Sequence, residues 1–185
     1  MTDLSTIINQ TKKWIIDVVI GCNFCPFAAK EIKRGTIHYE ALNSADEEQI
    51  LQAALAIMQL LDKNDRIETA LLILPKGFEN FEYYLDLVET VQEQLEENNY
   101  EGIYQVASFH PQYLFAGSNE NDPANYTNRS PYAMLHFLRE DSVSKAIDSY
   151  PNINEVPERN IAFTQSKGIH YMQQLLAQCM INNPG

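Results

Sequence analysis

Positive charge is what this 185-residue chain has least of: 13 Lys and Arg stand against 25 Asp and Glu, for a formal net charge of −12. A protein that holds nucleic acid by bulk electrostatics needs a cationic face to displace counterions from phosphates, so nucleic acid is not an expected partner. The same deficit argues against an anionic membrane surface. Cysteine is scarce and odd in number, at three, which argues against a secreted domain built on disulfides. Also missing is any run of the roughly 20 apolar residues that a membrane span requires. The nearest candidate, "WIIDVVIGC" after Lys12 and Lys13, has the outline of a lipoprotein signal ending at Cys22, but it is short and Asp17 interrupts it. Leu4, Ile7, Ile8, Thr11, Ile15 and Val18 recur at the spacing of one helical face, so an amphipathic core helix is expected there. The chain is therefore read as cytoplasmic. Its two closely spaced sequons, Asn125-Tyr126-Thr127 and Asn128-Arg129-Ser130 in "NYTNRSPY", are then incidental, because N-glycosylation does not occur in that compartment.

With 45% hydrophobic and 21% charged residues, the chain has the composition of one globular domain with a real core. The first helix should run from Ser5 to Ile20. "CPFAAKEIKRG" has Pro26 suited to a first helical position and Gly35 to a stop, which predicts a short second helix with Cys25 at its N-cap. Thr36 to Leu42 has strand composition, and a helix capped by Ser44 follows. "ETALLILP" is a continuous apolar run, as expected of a strand buried on both faces. "NFEYYLDLVETVQEQLEENN" is a periodic helix, and "GIYQVASFHP" a third strand. The order β-α-β-α-β predicts an α/β domain with a small, mainly parallel sheet of three or four strands, an N-terminal helix and a helical C-terminal third. From Gln112 to Arg129 no periodicity survives, and loops that long inside a domain are often functional. Ser130 and Pro131 are expected to start a helix reaching Ser149; Val156-Pro157-Glu158 repeats that start for a helix ending near Gly168, and "HYMQQLLAQCM" closes the chain.

Several residues could carry chemistry. His110 ends strand three and Lys76 follows strand two, so both belong to the carboxyl edge where parallel sheets collect ligands; a turn histidine bonded to backbone is the alternative. On the expected helix from Ser130, Tyr132, His136, Arg139 and Val143 form one row. After Lys76 the only basic residues are Arg129, Arg139, Lys145, Arg159 and Lys167. Arg129 just before a helix cap and Arg159 in a first turn suit an anion held by helix N–H groups and a guanidinium fork; ion pairs with the abundant carboxylates are the alternative. Cys25 as an N-cap would have a lowered thiol pKa and be nucleophilic, whereas an inert buried thiol is the commoner case. Cys22 and Cys25 form a C-x-x-C, but it follows a helix rather than a strand, and His38 and Cys179 do not complete a zinc site.

"CPFA", "FHPQYLFAG", "DPANYTNRSPY", "LHFLRE" and "PERNI", in that order, resemble the signature segments of the DUF1415 family, bacterial proteins of unknown function. The resemblance spans nearly the whole chain. It implies an apolar residue where this chain has Cys22, and it puts Cys25, His110, Asp122, Asn125, Asn128, Arg129, Ser130, His136, Arg139, Glu140, Glu158, Arg159 and Asn160 on motif positions. It implies no activity or cofactor.

The leading expectation is an enzyme of hydrolase or transferase type acting on a small anionic molecule. Cys25 would be nucleophile or redox centre, His110 or His136 the general base, and Asn125, Asn128, Arg129, Ser130, Arg139 and Arg159 the substrate clamp. A non-catalytic module binding an anionic metabolite or peptide carboxylate is the second. In the third, a structural or interaction protein, Asn125 and Asn128 bond backbone and Arg139 pairs with Asp122 or Glu140 in a buried polar network.

Overall fold

The structure is a computed structural model that describes residues 3–181. Helix α1 (Leu4–Trp14) runs on without a break into a π-helical segment, Ile15–Ile20, and the amphipathic pattern is the cause: Ile7, Trp14, Ile15 and Val18 are all buried. After a turn come α2 (Ala28–Arg34), β1 (Ile37–Ala41), α3 (Glu47–Lys63), β2 (Thr69–Leu74), α4 (Phe81–Glu97) and β3 (Tyr104–Phe109). The last third holds a 3-10 turn (Pro123–Thr127), β4 (Ala133–Arg139), α5 (Glu140–Ser149), a second short 3-10 turn (Ile153–Glu155), α6 (Val156–Lys167) and α7 (Ile169–Cys179).

One sheet of four strands has the order β1-β2-β4-β3. β1 and β2 are parallel, while β4 is antiparallel to both β2 and β3. The α/β class is as expected, and β1, β2 and β3 do run in one direction, but the sheet is mixed rather than mainly parallel. The difference is β4, inserted where a helix from Ser130 was expected. "AMLHFLR" is apolar on both faces: Ala133, Leu135 and Phe137 enter one core, Met134 the other. A short run of that kind cannot be assigned from periodicity alone, and hydrogen-bonded ladders on both sides decide it. The helix begins only at Glu140. Ser130 is therefore no helix cap; its hydroxyl donates to the Tyr132 carbonyl at 2.6 Å.

Two further caps differ. Helix α2 starts at Ala28 with Phe27 at the N-cap position, so Cys25 lies two residues before the cap. Apolar Phe27 offers no side-chain acceptor, and no cap bond forms. At α3 the cap is Asp46, whose carboxylate accepts from the Glu48 N–H at 3.0 Å, and Ser44 instead accepts from the Asp46 N–H.

The sheet is the middle layer of three. On one face α3 and α4 bury Ile50, Met58, Leu61, Tyr84, Leu87 and Val91 against Leu72, Leu135 and Phe137. On the other, α1, the π-helix, α6 and α7 cover Leu71, Ile73 and Met134. Gly77 is required where β2 turns toward α4, because its φ is +89° and a Cβ there would lie 2.4 Å from the Ala45 Cβ. That turn carries Phe78 to the carboxyl end of β3.

The free edge of β3 has a definite polarity. The Glu140 N–H to Ile103 carbonyl bond continues the β3/β4 ladder one pair beyond Tyr104↔Arg139. Odd-numbered residues of β3 therefore bond to β4, and even-numbered ones turn their backbone groups outward. At the strand's end the 128–130 segment takes up those outward groups: the His110 N–H donates to the Asn128 carbonyl at 3.3 Å, and the Ser130 N–H donates to the His110 carbonyl at 3.4 Å.

Candidate functional site

His110 is fully buried where β3 meets the long loop. Its Nε2 lies 2.7 Å from the Phe78 carbonyl, and Nδ1 accepts the Gln112 N–H at 3.0 Å. The partners assign the tautomer: Nε2 carries the proton and donates, Nδ1 accepts. Burial lowers its pKa, only partly offset by the bond to Phe78 and the charge of Glu79. Lys76 and His110 do share the carboxyl edge, joined through the Phe78 turn, and His110 has the backbone-bonded form given above as its alternative.

His136 lies within the sheet, its ring 6.0 Å from that of Phe109. Thr69 Oγ1 donates to the Phe137 carbonyl at 2.6 Å, so its lone pair accepts from His136 Nε2 at 2.6 Å. Part of the residue reaches solvent, yet the ring is packed closely enough that burial pushes its pKa down to about 4. Arg139 is three residues further along a strand, so it points to the opposite face, and the expected helical row of Tyr132, His136, Arg139 and Val143 does not exist. Nor is Arg139 near His110, because it pairs with Tyr104, six residues before His110, a distance of roughly 20 Å at the usual strand rise. Its guanidinium closes the carboxyl end of α3, donating to the carbonyls of Leu61 at 2.6 Å, Ile67 at 3.1 Å and Asn64 at 3.4 Å. It also approaches the Tyr104 hydroxyl, which with Tyr100 donates to Asp62.

The 112–129 loop is built on its own polar side chains. Asn125 is fully buried; its Oδ1 accepts from the Phe115 N–H at 3.1 Å and its Nδ2 donates to the Asn119 carbonyl at 2.8 Å. Asp122 caps the 3-10 turn through the Ala124 N–H and accepts from the Ser118 hydroxyl. Asn128 reaches the Ser108 carbonyl at 3.5 Å, another outward group of β3. Arg129 lies over the Tyr126 ring at 4.8 Å, with Nε donating to the Tyr113 carbonyl and Nη2 to that of Glu120.

Helix α6 joins this loop to the Cys22–Cys25 turn. It packs on the 3-10 turn and, from its first two turns, holds the cysteine turn in place. Arg159 Nη2 donates to the Asn23 carbonyl at 2.5 Å and to Asn160 Oδ1 at 3.2 Å, and Asn160 Nδ2 donates to the Phe24 carbonyl at 2.9 Å. Phe24 and Phe27, on either side of Cys25, dock edge-on against Phe163 and Tyr150. Cys25 is half-buried, and its thiol has no hydrogen-bond partner among the described residues. Cys22 and Cys179 are buried, which raises both thiol pKa values, that of Cys179 to about 11.

Of the residues expected to converge, Cys25, Arg159 and the Asn125–Arg129 stretch are brought to one helix, while His110, His136 and Arg139 occupy three separate places. None of Arg129, Arg139 and Arg159 is ion-paired with a carboxylate among the described residues; their anchors are carbonyl oxygens and neutral side chains. Trp14, whose Nε1 donates to the Arg129 carbonyl at 3.1 Å, and Thr69, partner of His136, were not singled out from sequence. Their partners are too distant along the chain for spacing to reveal them. Among the described residues no group of three or more His, Cys, Asp or Glu is placed to hold a metal, and no helix is long and apolar enough to cross a membrane.

The family model described as "Protein of unknown function (DUF1415)" matches residues 6–174. The chain belongs to the DUF1415 family. Neither a curated protein nor a solved structure matches it significantly. The match runs from α1 into α7 and so takes in all of the motif residues above.

Proposed function

We propose that this DUF1415 protein binds a small anionic molecule, a carboxylate or phosphate compound, on the face where α6 joins the Cys22–Cys25 turn to the 112–129 loop. The observation that carries this reading is the state of Arg159. Its guanidinium is fixed by the Asn23 carbonyl and Asn160 Oδ1, yet no carboxylate among the described residues pairs with it in a chain of net charge −12. A planar fork held by neutral acceptors keeps its full charge and its remaining N–H donors for an anion. Arg129, held in the same manner beside Tyr126, is the second cation of this face.

Binding is favoured over Cys–His catalysis because a thiol nucleophile needs a base within about 3 Å, and both imidazoles are committed elsewhere. Screening thermal shift with inorganic phosphate, citrate and succinate against wild type, Arg159→Ala and Arg129→Ala tests the proposal. An anion at 100 times its Kd should add about 2.7 kcal/mol to wild type, and the gain should shrink in both variants. Equal gains in all three proteins would sink it.

A second reading, that the motif residues serve the fold alone, draws on the complete engagement of His110 and Asn125 by backbone partners. On that reading the arginine variants lose stability without any anion dependence.

A further inference from the structure

The side chain of His110 touches two segments, the turn after β2 through Phe78 and the start of the long loop through Gln112. Its backbone adds the far end of the same loop, through Asn128 and Ser130. One residue therefore fastens both ends of the 112–129 segment to the sheet. At Gln112 this fastening depends on a lone pair of the ring. Nδ1 must accept the Gln112 N–H while Nε2 donates to Phe78, an arrangement only the neutral ring can make. A proton taken from solvent onto Nδ1 would set two N–H groups against each other and leave a cation in a fully buried position.

We propose that His110 is an acid-released latch: protonation of its ring frees the 112–129 loop from the sheet while the three-layer core stays folded. The surroundings supply little to hold the cation. The turn contributes Phe78 and Glu79, whose carboxylate is exposed and already accepts the Gly77 N–H. Helix α4 contributes the Phe81 and Tyr84 rings at 5.2 and 5.0 Å, with the Tyr84 hydroxyl donated to the Met134 carbonyl. From the loop come Gln112, Tyr113 against Phe81, and Arg129, whose guanidinium is bound to the Tyr113 and Glu120 carbonyls. Glu79 is thus the one carboxylate near the ring whose charge bears on its titration. The core between the sheet and α3 and α4, by contrast, is held by Leu72, Leu135, Phe137 and their helices without a residue from the loop, and the core on the other face takes Tyr126 from it.

Amide hydrogen exchange on the full chain between pH 7.5 and 5, corrected for intrinsic rates, tests the latch, with the His110 ring followed by its imidazole nitrogen shifts. Protection of the Gln112, Asn128, Arg129 and Ser130 amides should fall as the ring titrates, by up to about tenfold for each pH unit below 6.5, while Leu72 and Ile73 amides in β2 keep theirs. His110→Gln, which cannot titrate, should show an open loop with no such pH dependence. Loop protection that persists until the β2 amides also lose theirs overturns the proposal, as does an opening that fails to track the His110 ring. The wild-type measurements decide the matter even if His110→Gln does not fold.

Discussion

The indole N–H of Trp14 donates to the Arg129 carbonyl at 3.1 Å, joining two residues 115 positions apart. The same ring meets Phe109 edge-on at 5.1 Å, so Trp14 pins the motif loop and the end of β3 together from the side of the first helix. Trp14→Phe keeps most of that packing and removes the donor. It should cost about 1 to 2 kcal/mol in chemical denaturation, because a carbonyl is left without its partner. An unchanged midpoint would show that the bond contributes nothing net.

Acid should weaken the fold through His136. Its folded pKa, about 4, lies below the unfolded value of about 6.5, so the neutral ring is the one the fold favours. The contribution is complete above pH 6.5 and is lost as pH falls toward 4. Urea midpoints measured across that range should decline, and less steeply in His136→Asn; parallel declines would place the acid sensitivity elsewhere.

Arg139 serves the end of α3, and its loss should register as stability alone. Arg139→Ala removes donors from the Leu61, Asn64 and Ile67 carbonyls and should cost about 2 to 3 kcal/mol, with Arg139→Lys recovering part. Any anion-induced thermal shift should survive in Arg139→Lys, since this residue lies at the opposite end of β3 from the loop.

Asn125 is fully buried with both ends of its amide bonded. Asn125→Asp is nearly isosteric but loses the donor to Asn119 and buries a carboxylate, so its melting temperature should fall sharply, by the equivalent of about 2 to 3 kcal/mol. A wild-type melting temperature would mean the loop can rearrange around the site.

The thiols should alkylate in order of access. At pH 8, mass spectrometry should find iodoacetamide on half-buried Cys25 well before Cys22 and Cys179, whose burial raises their pKa values. Equal labelling of all three would show that the turn is not held as Arg159 and Asn160 hold it.

Much of the architecture could be read from local pattern. The first helix, β1, β2, β3 and helices α3, α4, α6 and α7 all follow from periodicity, turn residues and the Val156-Pro157 start. β4 could not, since "AMLHFLR" owes its form to neighbours on both sides. That single reassignment also dispersed the expected site, because a row of residues on a helix becomes two opposite faces on a strand. The family motifs did mark residues with unusual hydrogen bonding, and Asn125, Asn128, Arg159 and Asn160 all bind main chain. Which carbonyls they would reach was a matter of tertiary contacts, on which sequence spacing is silent.

The 128–130 segment along the outer side of β3 has one more effect. "YQVASF" carries no charge and no proline, two of the devices by which edge strands discourage foreign partners. Here the Tyr100 carbonyl takes the Tyr104 N–H at one end, while Asn128 and Ser130 occupy Ser108 and His110 at the other. Val106 is left as the residue of β3 whose outward N–H and C=O both lack a partner among the described residues. The loop thus guards the sheet against intermolecular strand addition. A chain whose loop has been loosened would be expected to self-associate through β3, with light scattering rising before any loss of helix.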